Sequence, residues 1–243
     1  MNTKLSKLGI GATIILLLVS ACGIAPTFGS GDLVTKTYQV SGFDGVSVSG
    51  GGDLVIIQDG TESVSVETDD NLMQYVVTEV RNGTLDLYLD NQGLRNFRPT
   101  KLIFTVHVKN LTAVTTSGSW DLTSEKIDTD DLSIVVSGSG NVTISDLTAE
   151  NLSVMISGSG EMDAAGEVTD QDITVSGSGK IRLGDLLSET ALINISGSGE
   201  ATLWVTTSLT AEISGSGTVL YYGNPQTTIN TSGSGDIQHL GDK

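Results

Sequence analysis

The 243-residue chain carries 29 acidic and 12 basic side chains, a formal net charge of −17, with 30 glycines, 3 prolines, 2 histidines and one cysteine. A pI near 4.2 leaves no basic face to displace counterions from phosphates, which excludes nucleic acid as a partner; a lone cysteine excludes an internal disulfide or a zinc cluster, and two histidines leave little for a transition-metal site or a Ser-His-acid triad. Calcium, which takes carboxylate and carbonyl oxygens, stays open, and at 38% hydrophobic the chain can bury a core as one domain or one repeat array.

Lys4 and Lys7 precede an apolar run from Ile10 to Val19, closed by Ser20-Ala21-Cys22. The run is shorter than the roughly 20 residues a membrane-spanning helix needs, which predicts a cleaved export signal over residues 1–21. Val19-Ser20-Ala21-Cys22 has the form of a bacterial lipobox. Cys22 is therefore expected to become an acylated N-terminus, palmitate among its chains, which accounts for an unpaired thiol in an exported protein. Gly23 rather than aspartate follows it, which favours the outer membrane or cell surface. Residues 22–36 are read as the lipidated N-terminus and a tether, and residues 37–243 as the head domain.

Within the head, Ser49-Gly50-Gly51-Gly52 is flanked by Val-Ser-Val before it and Asp-Leu-Val-Ile after it. The period is then lost, although strand-like runs persist at Ser63 to Glu67, Thr84 to Leu89 and Lys101 to Val108. Asp69-Asp70-Asn71 and Arg81-Asn82-Gly83 read as turns. Residues 37–110 are accordingly expected to form wider or irregular coils that cap a stack. From Ser117-Gly118-Ser119-Trp120 onward a repeat takes over, with Ser-Gly-Ser-Gly beginning at Ser137, Ser157, Ser176, Ser196, Ser214 and Ser232, 18 to 20 residues apart. Residues 111–240 are the regular coils.

Alternation runs through each motif. Ile134, Val136, Gly138, Gly140, Val142 and Ile144 share one parity, and Val135, Ser137, Ser139, Asn141 and Thr143 the other. Alternate side chains of a strand point to opposite faces, so the first set is expected inside and the second outside. Coils of this kind, stacked in register, make an all-β fold: a single parallel β-helix, or solenoid, with about 18–20 residues per coil. Some ten coils at about 4.8 Å each would give a rod of roughly 50 Å. The inward glycines are expected where opposing walls leave no room for a Cβ. Asp146 to Glu150 and Tyr222 to Gln226 are expected to be variable loops opposite the motif.

Several residues are candidate sites. The outward serines, such as Ser137 and Ser139, could form a hydroxyl lattice for an ordered ligand, but small hydroxyls packing at a tight corner account for them better. Trp204 and Tyr222 each fall five residues after a motif's last glycine, on adjacent rungs with outward parity. Two neighbouring rings are the usual platform for a sugar face, so this pair is the candidate ligand contact. Trp120, in place of an inward glycine, is read as a core or cap residue. Glu161, Lys180 and Glu200 stack at one position and Asp163 faces Arg182 at another, which reads as charge compensation between rungs. Asp128, Asp130 and Asp131 lack the spacing of calcium-binding solenoids and read as a solvated acidic turn. His107 is expected on an outward strand position and His239 in the C-terminal cap.

The combination of Phe43-Asp44-Gly45-Val46-Ser47-Val48, Asp53-Leu54-Val55-Ile56, Thr78-Glu79-Val80-Arg81-Asn82-Gly83-Thr84-Leu85 and the Ser-Gly-Ser-Gly rungs resembles the auto-transporter adhesin, head GIN domain family of bacterial envelope proteins. The resemblance spans about Tyr38 to Leu240. It implies a right-handed β-helix on an exported protein, with no catalytic residues, metal or cofactor to carry over. The few residues after Asp236 are expected not to form the membrane barrel in which an auto-transporter ends. The resulting expectation is a non-enzymatic envelope lipoprotein, held to the membrane by the lipid on Cys22, that binds a glycan or envelope protein, with its oligomeric state open. A structural or stress-related envelope protein without a dedicated ligand is the alternative. A glycan-cleaving enzyme, which would need paired carboxylates in a groove, is a third; with four basic residues against eighteen acids from Leu111 onward, cleavage of an acidic glycan by a lyase is disfavoured.

Overall fold

A computed structural model describes residues 26–91 and 96–243. Cys22 and the export signal read over residues 1–21 lie outside the described residues. Among the described residues every element is a strand except one 3-10 turn, Met73–Tyr75, and no helix is long and apolar enough to cross a membrane. Two N-terminal strands, β1 (Thr27–Phe28) and β2 (Leu33–Tyr38), precede the first solenoid rung, β3 (Gly45–Gln58). The chain then leaves the stack through β4 (Ser63–Asp69), β5 (Val76–Arg81), β6 (Thr84–Leu89), β7 (Phe97–Arg98) and β8 (Leu102–Val108). It returns as β9 (Ala113–Ser124), which lies parallel to β3 with Ser49 beside Ser117 and Gly50 beside Gly118.

From there the coils follow one another: β10 (Ile127–Gly138), β11 (Asn141–Gly158), β12 (Glu161–Gly177), β13 (Lys180–Gly197) and β14 (Glu200–Gly215). β15 (Thr218–Tyr222), β16 (Gln226–Gly233) and β17 (Asp236–Gly241) complete the stack. The first motif glycines form one unbroken ladder, Gly50, Gly118, Gly138, Gly158, Gly177, Gly197, Gly215 and Gly233. The expected parallel solenoid is therefore present, with the rung at Ser49 in it. It has about six turns rather than ten. The difference lies in residues 59–112, which do not make coils of their own.

Together with β2, those residues form an antiparallel cap. β2, β4 and β8 pair antiparallel, and β5 and β6 make a hairpin whose turn places Asn82 and Gly83 at φ 50° and 81°, the left-handed conformation that an Asn-Gly turn supplies. β6 and β8 then lie parallel against the two halves of β3, so the cap continues the solenoid ladder. Trp120 is fully buried and packs on Phe104, ring centroids 5.7 Å apart. It is a core residue where the cap meets the first coils. The segment read as a tether is partly docked: β1 pairs with β7, and Gly31 N–H donates to the Asp69 carboxylate at 2.8 Å.

The core is a cylinder of aliphatic columns. Val136, Ile156, Val175, Ile195 and Ile213 are buried before the motif, and Val142, Met162, Ile181, Ala201 and Val219 after it. Each motif is a corner, and its glycines have reasons other than opposing walls. The first takes positive φ, 129° at Gly158, and a Cβ there would press into the carbonyl oxygen of Gly138 one rung below. The second is buried against the column beside it: a Cβ on Gly160 would lie 2.7 Å from Val136 Cγ1. The bonds that join rungs across the corner are backbone bonds, such as Ser139 N–H to Gly118 C=O at 3.0 Å, while the serine side chains are exposed. Asp146 to Glu150, expected as a loop, runs inside β11 as a bulge between Ile144 and Leu147. The extra residue is absorbed without breaking the strand.

Candidate functional site

The strand segments that precede each motif present two outward columns. Asp131, Asn151, Asp170, Thr190 and Ser208 stack in register, and two positions further on Ser133, Ser153, Asp172, Leu192 and Thr210 do the same. Together they line a groove of about 420 Å³ across five coils, about 19 Å long at the usual strand spacing. Parallel pairing in constant register makes the columns straight, and rung-to-rung hydrogen bonds preset their side chains. Asn151 Nδ2 donates to Asp131 Oδ1 at 2.8 Å, and Thr190 Oγ1 donates to Asp170 Oδ1. No basic side chain is among the described residues that line it. The chemistry on offer is thus carboxylate acceptors and hydroxyls beside the exposed Leu192.

Beneath the groove one inward position departs from the apolar pattern. Gln171 stands in the column Leu132, Leu152, Gln171, Ala191, Leu209 and is 2% exposed, and neither amide atom has a hydrogen-bond partner in the protein. A wider hollow of about 520 Å³ opens near Ile57. It holds Glu125 and Lys126, the latter paired with Asp146 at 3.7 Å, and its aligned column, Val55, Thr123 and Thr143, spans three rungs rather than five.

Trp204 and Tyr222 are brought together: they are register partners on β14 and β15, and both are half-buried. Gly184 lies beside the Tyr222 ring, which a Cβ there would meet at ordinary contact distance, 3.5 Å. Lys243 Nζ sits 5.3 Å from the Trp204 ring centroid and 5.2 Å from that of Tyr222, and also donates to the Gly184 carbonyl and the Asp185 carboxylate. An ammonium at this range is attracted to both ring faces, so part of the platform a sugar would use is occupied.

The remaining candidates separate. Glu161, Lys180 and Glu200 are register neighbours, as are Asp163 and Arg182, but Arg182 forms its ion pair diagonally with Glu161. Asp128, Asp130 and Asp131 lie within β10 rather than a turn. Gln58 bridges to Asp128, donating to its carbonyl and accepting its N–H, each at 2.8 Å. Among the described residues no group of three or more His, Cys, Asp or Glu side chains is placed to hold a metal ion. His107 lies 2.7 Å from Asp59, whose carboxyl is lowered to about 2 by the Thr61 hydroxyl first and then by the histidine. His239 stacks on Tyr221, centroids 4.9 Å apart. The groove had no sequence signal beyond aspartates and asparagine recurring at coil spacing, because its five members come from five coils.

Residues 42–225 match the profile of the family described as "Putative auto-transporter adhesin, head GIN domain". The chain belongs to this family. In this head GIN domain the match takes in the cap as well as the regular coils. A crystal structure of a "putative adhesin" from Bacteroides fragilis shares 26% identity at a TM-score of 0.83, covering 88% of this chain and 100% of that one. A "Putative lipid binding protein" from Parabacteroides distasonis shares 29% identity at a TM-score of 0.73, covering 89% and 100%. A "putative adhesin" from Parabacteroides merdae, at 22% identity and a TM-score of 0.70 over 88% and 98%, bears on the fold alone. No functionally curated protein matches the chain.

Proposed function

We propose that the protein is a lipid-anchored envelope module that binds a neutral glycan along the groove between the Asp131 and Ser133 columns. Membership of the adhesin family supports a non-enzymatic, adhesion-like role at the cell surface. The groove carries the reading. Acceptors and hydroxyls repeat at one-rung intervals over five coils without a basic side chain, which suits a ligand made of repeated hydroxyl donors and repels phosphates and acidic sugars. Trp204 and Tyr222 offer a second contact on the same rod, reached when Lys243 moves aside. Cys22 would supply the anchor, in the outer membrane or at the cell surface. Asp170 and Asp172, two positions apart on one strand, favour a second reading, cleavage of the bound glycan.

A glycan array probed with the purified protein tests this. Wild type should bind a neutral glycan saturably, and Asp170→Ala with Asp172→Ala should weaken binding at least tenfold at unchanged melting temperature. Trp204→Ala with Tyr222→Ala tests the second contact separately. No binding by wild type would return the protein to a structural envelope role, and shortened glycan products would establish cleavage. Phospholipid vesicles form a further arm, because binding there instead of to glycans would extend to this chain what the name of the Parabacteroides distasonis relative states. Cys22→Ala should release the protein from membranes, and retention would count against lipidation.

A further inference from the structure

Among the described residues, the last coil leaves one side of the core uncovered. Ile229 stands in the inward column of Ile134, Val154, Ile173, Ile193 and Ala211, each at most 1% exposed, yet Ile229 itself is 45% exposed. Every residue of β16 is exposed, and among the described residues its backbone pairs with β14 alone. Its outer edge therefore presents a row of free N–H and C=O groups beside apolar surface, the arrangement that recruits another strand.

Proteins blunt such edges with charge, proline or a covering group, and the other terminal strands here show it. β2 carries Lys36, and β17 carries Asp236 and His239, whose Nε2 donates to the Gly223 carbonyl at 2.6 Å. β16, Gln-Thr-Thr-Ile-Asn-Thr-Ser-Gly, has neither charge nor proline in a chain of net charge −17. We propose that β16 is a self-association edge through which two copies join end to end, antiparallel about Ile229.

A second copy suits this edge because the strand is symmetric about its centre. The inward set is Thr227, Ile229 and Thr231. An antiparallel copy centred on Ile229 sets isoleucine against isoleucine and each Thr227 against the partner's Thr231, so the surface complements itself, as a two-fold interface requires. Joining at the ends also keeps the acidic flanks of the two rods apart, and the charge-free strand adds no local repulsion. Residual repulsion between the rods is screened by salt, so association should strengthen as ionic strength rises.

Disulfide trapping in the cell envelope tests the pairing. In an antiparallel pair, facing Cα atoms lie about 4.5–5.5 Å apart, within the range a disulfide spans. Ile229→Cys should give a disulfide-linked dimer on non-reducing gels under mild oxidant, whereas wild type, with Cys22 alone, and Leu192→Cys, at an exposed site elsewhere, should stay monomeric. In sedimentation, Ile229→Lys should abolish the dimer at unchanged melting temperature, since the side chain is already exposed in the monomer. Failure of Ile229→Cys to cross-link, equal cross-linking by Leu192→Cys, or a cross-link to a different protein would each overturn the proposal.

Discussion

Gln171 shows how a single position reports a cost. Its neighbours in the column are Leu152 and Ala191, it is 2% exposed, and both polar atoms of its amide lack a partner in the protein. A buried amide without a hydrogen bond costs about 1–3 kcal/mol, and replacing it by an apolar group of similar shape removes that cost. Gln171→Leu should therefore stabilise the fold by about 1–3 kcal/mol in denaturant unfolding, extending the leucine ladder of Leu132 and Leu152. Its outward neighbours Asp170 and Asp172 keep their places, so glycan binding should be unchanged. A loss of stability would mean that the amide is satisfied in solution, and a loss of binding would place Gln171 in recognition.

At the scale of elements, the cap depends on Asp69 at the end of β4. Its carboxylate accepts the N–H of Gly31 and of Thr100, each at 2.8 Å, and so joins the segment before β2 to the segment before β8. Burial pushes its pKa up, but the N–H groups of Gly31 and Thr100, with the Thr100 hydroxyl and its own N–H, together hold it below the usual 3.8. A lowered folded-state pKa gives a contribution that is present above about pH 3.8 and is lost as pH falls through the folded value. Amide protection of Gly31 and Thr100 should accordingly fall on acidification below 3.8 and in Asp69→Asn at neutral pH, while protection of Ile156 in the solenoid holds. Equal loss at all three sites would show that cap and solenoid open as one unit. The solenoid was legible in the sequence because its period and parity are local properties of each repeat, and the pairing of Trp204 with Tyr222 followed from counting within it. The strands of the cap and its Asn82-Gly83 turn were legible as well, but their pairing was not, because the antiparallel partners of β2, β4 and β8 are chosen across long sequence separations. The same holds for Lys243 over the two aromatic rings and for the groove, whose columns exist only once five coils are aligned.

The whole molecule is a one-dimensional stack, which sets how it should respond to the loss of a coil. Each coil contacts chiefly the ones on either side, so stability is close to a sum of coil and interface terms. Deleting residues 159–177 joins Gly158 to Ser178 and restores an intact Ser-Gly-Ser-Gly corner. Val142 would then meet Ile181, and Val154 and Ile156 would meet Ile193 and Ile195, so the inward columns flanking the corner stay apolar. The shortened protein should fold with an unchanged circular-dichroism signature and a modestly lower melting temperature. It loses Asp170 and Asp172 from the groove, so glycan binding should fall as in the double-alanine variant, while the β16 edge, several coils away, should still dimerise. Removing only residues 159–168 instead sets the second half of one coil against the first half of another, mismatching corners and columns, and should abolish folding. If both deletions unfold the chain, the coils are not interchangeable and the nearest-neighbour description fails; if both fold, the register between corners does not specify the structure.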